Sequence, residues 1–114
     1  MATKVLTCLH GNEVTPRFDL ATEVLIAYID EEGKVSGERV VVLPQASAER
    51  LCHMVLTENI QVVICGGIEE EYYQYLTWKR VNVLDSVIGD SREALERLAE
   101  GRLQAGDILG ERED

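Results

Sequence analysis

Apolar residues in this chain come in short blocks separated by polar punctuation. The densest block, residues 61–65, is Gln-Val-Val-Ile-Cys and runs straight into Gly66-Gly67. A strand that is apolar on both faces must be covered on both faces, so this block predicts the centre of an α/β sheet. The glycine pair permits a sharp turn and close approach of a helix or a ligand, and a helical pattern opens directly after it.

The remaining blocks can be taken in order. Residues 4–9 predict a first strand, broken by His10-Gly11-Asn12-Glu13, and residues 14–22 read as a loop. Residues 23–29 are β-branched and apolar and predict a second strand. A polar hairpin turn with Gly33 leads to a third strand over 35–43, which Pro44 stops. Ser47 is a suitable N-cap for a helix to about Glu58, with Ala48, Leu51, Cys52 and Val55 on its buried face and His53 on the wet one. The fourth strand is the block at 61–65. A helix over 69–79 follows, with Ile68, Tyr72, Tyr75 and Leu76 sharing a face and Tyr73 pointing away. Residues 81–84 predict the fifth strand. Asp90 and Glu93 form a capping-box pattern for a helix through Glu100, with Ala94, Leu95, Leu98 and Ala99 on its apolar side and Gly101 as its stop.

The order β-β-β-α-β-α-β-α, joined by right-handed crossovers, implies one mixed sheet in the order 3-2-1-4-5 with strand 2 antiparallel. The strand order reverses between strands 1 and 4, and ligand crevices open beyond the carboxyl ends of strands at such a point. His10-Gly11-Asn12 and Cys65-Gly66-Gly67 should both lie there. The length of 114 residues suits one domain, expected over 1–103, with an acidic, partly ordered tail over 104–114 that keeps Leu103, Ile108 and Leu109.

Charge narrows the partners. A net charge of −10, from 21 acids against 11 Lys plus Arg, repels a phosphate backbone and argues against nucleic acid. The start lacks a basic region followed by a long apolar core, and no stretch approaches a membrane span, so the expected location is cytoplasmic. Three cysteines without a CxxC pair fit neither a disulfide framework nor a zinc knuckle. No Ser-His-Asp or Cys-His arrangement has an orienting partner, and no phosphate-loop lysine follows the glycines, so an enzyme is not expected.

Cys8 and His10 at the end of one strand, and Cys65 at the end of its neighbour, are the soft donors a metal or sulfide cluster favours; both cysteines also suit a buried sheet. Arg17 could offset an anionic ligand's charge, or pair with Asp19 or Glu13.

Gly11 with Val14-Thr15-Pro16-Arg17-Phe18-Asp19, then Ile64-Cys65-Gly66-Gly67-Ile68, then the stretch from Ser91 to Gly101, together resemble the dinitrogenase iron-molybdenum cofactor biosynthesis family, which includes NifX, NafY and the carboxy-terminal part of NifB. The resemblance implies a ribonuclease H-like α/β/α fold. It also implies a non-catalytic monomer or homodimer that binds or carries an iron-molybdenum or other metal-sulfur cluster, or its precursor, between donor and acceptor proteins. Carried over to this chain, the cofactor-binding positions are His10, Asn12, Arg17, Phe18, Cys65, Gly66 and Gly67, with His10, Cys8 and Cys65 as the metal donors. Two features depart from the family pattern: Glu69-Glu70-Glu71 after the glycines, and the aromatic run from Tyr72 to Trp78. Consecutive helical residues lie about 100° apart, so at least one of the three acids should face the crevice mouth. The alternative function is a protein-interaction module with a vestigial crevice and an aromatic helix as its docking surface.

Overall fold

A computed structural model describes residues 2–110. Six strands form one sheet: β1 (Thr3–His10), β2 (Glu13–Val14), β3 (Glu23–Ile29), β4 (Val35–Val42), β5 (Val62–Ile64) and β6 (Asn82–Leu84). Three helices cover it: α1 (Ala48–Thr57), α2 (Glu70–Trp78) and α3 (Ser91–Ala99). The path β4-β3-β1-β5-β6 is the expected order of the five long strands; the sixth, β2, pairs only with β1. β3 runs antiparallel to β1 and β4, while β5 is parallel to β1 and to β6.

Alternation along the strands builds the layers. Leu6 and Cys8 of β1, Val24 and Ile26 of β3, and Val63 with Cys65 point to the face covered by α1 and α2. Val5, Leu25, Ala27, Val62 and Ile64 point to the opposite face, where α3 sets Ala94 and Leu95. The result is a three-layer α/β/α domain. Leu103 and Leu109 join this second cluster. The expected fraying at the tip concerns residues 111–114, outside the described residues.

Local signals hold at the helix starts. The Ser47 side chain accepts the Arg50 N–H at 3.2 Å, and the Asp90 carboxylate accepts the Glu93 N–H at 2.9 Å. The reciprocal half of that capping box gives way to an ion pair, because the Glu93 carboxylate meets Arg97 one turn on. One expectation changes. Residues 14–22 are not featureless: Leu9 pairs with Val14 and His10 with Glu13 in a tight hairpin, and Phe18–Leu20 make a 3-10 turn. The turn is possible because Gly11 takes φ of 63°. On α2 only Leu76 is fully buried, while Tyr72 and Ile68 are partly covered and Tyr75 is 40% exposed. The helix lies at the end of the sheet with α1 on one side, too little surface to cover its whole apolar stripe.

Candidate functional site

The point where β1 and β5 part is filled by the chain itself. The Thr15 N–H donates to the Cys8 carbonyl at 2.9 Å, the Gly67 N–H to the Pro16 carbonyl at 2.7 Å, and the Phe18 N–H to the Gly67 carbonyl at 2.8 Å. Residues 15–18 therefore lie as an extra rung between the two strand ends. A Cβ on Gly66 would sit 2.4 Å from both the Thr15 and Pro16 carbonyl oxygens, so the first glycine is needed for that close approach. Gly67 is less constrained, its would-be Cβ lying 3.5 Å from the Pro16 oxygen.

A cavity of about 350 Å³ remains beside this rung, lined by Glu13, Val14, Pro16, Gly66, Gly67 and the turn after β6, Ser86 to Gly89. Backbone hydrogen bonds lace its walls. The Ser86 and Val87 N–H groups donate to the Gly66 and Cys65 carbonyls, and the Val14 N–H donates to the Gly89 carbonyl at 2.8 Å. The turn at Ser86, with φ of 59°, is a wall of the cavity that sequence reasoning missed. Topology could have found it, since the loop after the fifth strand opens at the same sheet end.

Of the cofactor-binding and metal positions expected from sequence, only Gly66 and Gly67 line the cavity. His10 is exposed and does not line the cavity, though it stands cross-strand from Glu13, which does. Asn12 is exposed too, and its backbone carbonyl accepts both the N–H and the hydroxyl of Ser91, which pins the hairpin to the start of α3. Arg17 spends its guanidinium on Asp19, with Nε to Oδ1 at 3.0 Å and Nη2 to Oδ2 at 2.7 Å. Phe18 is fully buried, its ring 6.4 Å from that of Tyr72. None of Glu69, Glu70 and Glu71 lines this cavity, contrary to the expectation for the crevice mouth; Glu71 turns instead to a groove between α1 and α2. The helix starts beyond the glycine turn and rises away from it.

The three thiols lie in one core beneath α1 and α2. Cys8 and Cys65 are wholly buried, and Cys52 is 5% exposed. Burial raises all three: Cys65 is pushed up to about 12, with Asp85 adding to the effect, and Cys52 to about 11, with Glu49 adding. Cys8 is raised well above the usual thiol range by burial, then by the other two thiols. Metals bind the thiolate, and this environment holds the proton on sulfur. Among the described residues no three His, Cys, Asp or Glu side chains are arranged to hold a metal ion. No helix among them is long and apolar enough to cross a membrane.

The model of the dinitrogenase iron-molybdenum cofactor family matches residues 1–101. The chain belongs to that family. Comparison of the iron-molybdenum cofactor family fold with solved structures finds PH0822, with a TM-score of 0.77 at 18% identity over 90% of this chain and 94% of that one. It also finds a candidate dinitrogenase from Methanocaldococcus jannaschii, with a TM-score of 0.73 at 23% identity over 91% of this chain and 94% of that one. A candidate NifB protein from Thermotoga superposes with a TM-score of 0.67 at 18% identity, covering 97% of this chain and 99% of that one. Identities this low establish a shared fold and no more. No curated protein matches the chain.

Proposed function

We propose that this member of the iron-molybdenum cofactor family is a non-catalytic carrier that holds a metal-sulfur cluster, or its precursor, at the carboxyl end of the sheet. One observation supports the reading above others. Two family landmarks, residues 14–18 and Gly66-Gly67, hydrogen-bond to each other and together wall a cavity of about 350 Å³. The donor set suits capture at the rim rather than enclosure in a thiolate cage, since Cys8 and Cys65 are buried and protonated while His10 is exposed. His10 is the proposed side-chain donor, and the cavity supplies shape.

The test is anaerobic reconstitution of the purified protein with iron, molybdate and sulfide, read by absorbance and metal analysis. Stoichiometric metal that falls with His10→Ala and persists in Cys65→Ser supports the carrier reading. Substoichiometric metal, unaltered by His10→Ala, leaves a second reading favoured by one exposed surface. Trp78 is 73% exposed on α2, its ring 6.4 Å from that of exposed Tyr75, and such an aromatic pair suits contact with cluster donor or acceptor proteins.

A further inference from the structure

A second cavity, of about 440 Å³, opens between α1 and α2, away from the glycine turn. Its volume lies within the range of small-molecule sites, roughly 300–1,000 Å³. Each helix brings one carboxylate to it, Glu49 from α1 and Glu71 from α2, and each meets aromatic or apolar neighbours there: Tyr72, Tyr75, Leu56 and Cys52. We propose that this groove binds a small organic ammonium cation, its charge facing Glu49 and Glu71 and its alkyl groups against the two tyrosine rings.

Three features carry the assignment. Neither Glu49 nor Glu71 has an ion-pair or side-chain hydrogen-bond partner among the described residues, so the negative charge of the groove is not neutralised from within. The Cys52 thiol, 5% exposed, lines the groove between the two carboxylate-bearing helices. The resulting field is felt by its neighbours: the Tyr72 phenol is raised first by burial, then by Glu71, Glu49 and Glu69, and Glu49 adds to the rise at Cys52. Aromatic faces with converging carboxylates form the recognition chemistry of alkylammonium groups. The same helix already uses it once, where Lys79 Nζ lies 4.6 Å from the Trp78 ring centre and 5.8 Å from that of Tyr75, itself a groove residue.

A divalent metal is the less favoured occupant. It needs donors converging on one point about 2 Å away, and no three acidic, histidine or cysteine side chains among the described residues do so. An ammonium group has no such demand. It takes remote carboxylates and a wall of rings.

The titratable groups facing the groove are Glu49, Cys52 and His53 from α1, and Glu71, Tyr72 and Tyr75 from α2. Measurements at pH 8 keep a histidine from adding positive charge. The probes are choline and its neutral isostere 3,3-dimethylbutan-1-ol, titrated into the full chain with amide chemical shifts as the readout. Choline is expected to bind about tenfold more tightly than the alcohol, with shifts concentrated on residues 49–56 and 71–75. Glu49→Gln and Glu71→Gln should each weaken choline about two- to fivefold and leave the alcohol unchanged. Both positions are exposed, so the variants should fold. Equal affinity for the two probes, insensitivity to the double variant, or shifts centred elsewhere would overturn the proposal. A zinc chloride arm completes the test: zinc bound at the groove with choline excluded would make it a metal site and equally overturn the assignment. The iron-molybdenum reading rests on the other cavity, so the two proposals fail separately.

Discussion

The two glycines after β5 look alike in the sequence and should respond in opposite ways to the same added methyl group. Gly66→Ala introduces a Cβ 2.4 Å from the Thr15 and Pro16 carbonyl oxygens and 2.7 Å from the Pro16 carbonyl carbon. All three are backbone atoms that cannot swing aside. Gly66 has no positive φ, so alanine is sterically acceptable to its own backbone and the penalty comes wholly from the neighbour. Residues 15–18 must retreat by about an ångström to reach ordinary contact. That movement weakens the hydrogen bonds from Gly67 to Pro16 and from Phe18 to Gly67, and it pulls on Phe18, which is wholly buried. Two weakened backbone bonds at about 1 kcal/mol each, together with overpacking at about 1–3 kcal/mol, give a loss of roughly 3–5 kcal/mol. In urea, with a slope near 1–3 kcal/mol per molar, the unfolding midpoint should fall by about 1–5 M. Gly67→Ala places its Cβ 3.5 Å from the Pro16 oxygen, an ordinary contact, and should cost less than about 1 kcal/mol. Paired urea titrations followed by Trp78 fluorescence and circular dichroism measure both. The reasoning fails if Gly66→Ala lies within about 0.5 kcal/mol of the native protein, or if the two variants are equally harmed.

Two further outcomes follow from the interior. The Thr7 hydroxyl is fully buried and has no hydrogen-bond partner among the described residues, so the near-isosteric Thr7→Val should raise stability by about 1 kcal/mol; a lower urea midpoint would mean that the hydroxyl is satisfied by a buried water. The thiols should make the fold sensitive to alkali, because the folded state holds protons that the unfolded chain releases near pH 9 while Cys52 and Cys65 hold theirs to about 11 and 12. Their stabilisation is complete below pH 9 and is lost as pH rises through that window; Cys65→Ala with Cys52→Ala should flatten the alkaline limb of stability against pH, and an unchanged limb would refute the assignment.

Much of this fold was legible because its signals are local. Strict alternation in β1 and β3 assigns their faces, Ser47 and Asp90 cap helices by their own side chains, and the number and order of strands allow one main crossover pattern. The candidate site was legible only as a location. Sequence placed His10 and Gly66-Gly67 at one sheet end, and there they lie. It could not show that residues 15–18 would occupy the space between them, since that depends on backbone groups from three segments meeting at 2.7–2.9 Å. Arg17 had two open roles, and a carboxylate two residues away holds its guanidinium at 2.7 Å. The shared face of Tyr72, Tyr75 and Leu76 on α2 was legible but its burial was not, because spacing reports which residues share a face, not how much of that face the neighbouring layer covers.

The cysteines show how position and availability come apart. In sequence Cys8 and Cys65 stand at adjoining strand ends, next to the landmarks of a cofactor family, and as ligand types they are suitable. Side-chain alternation decides otherwise. Thr7 pairs with Ile64 in the parallel register, so Cys8 and Cys65 follow on the same face and enter the layer under α1 and α2, where Cys52 meets them from the helix. Reaching that layer would require a metal to displace packed Leu51, Val55 and Phe18, all with no exposed surface. Opening such a core to a charged cargo costs far more than recruiting the donor already outside it. A carrier must also release what it takes up, and a single imidazole on a surface hairpin exchanges its ligand without unfolding anything. The buried thiols thus belong to the scaffold, and under the proposed carrier reading His10, outside that core, is the donor left for capture.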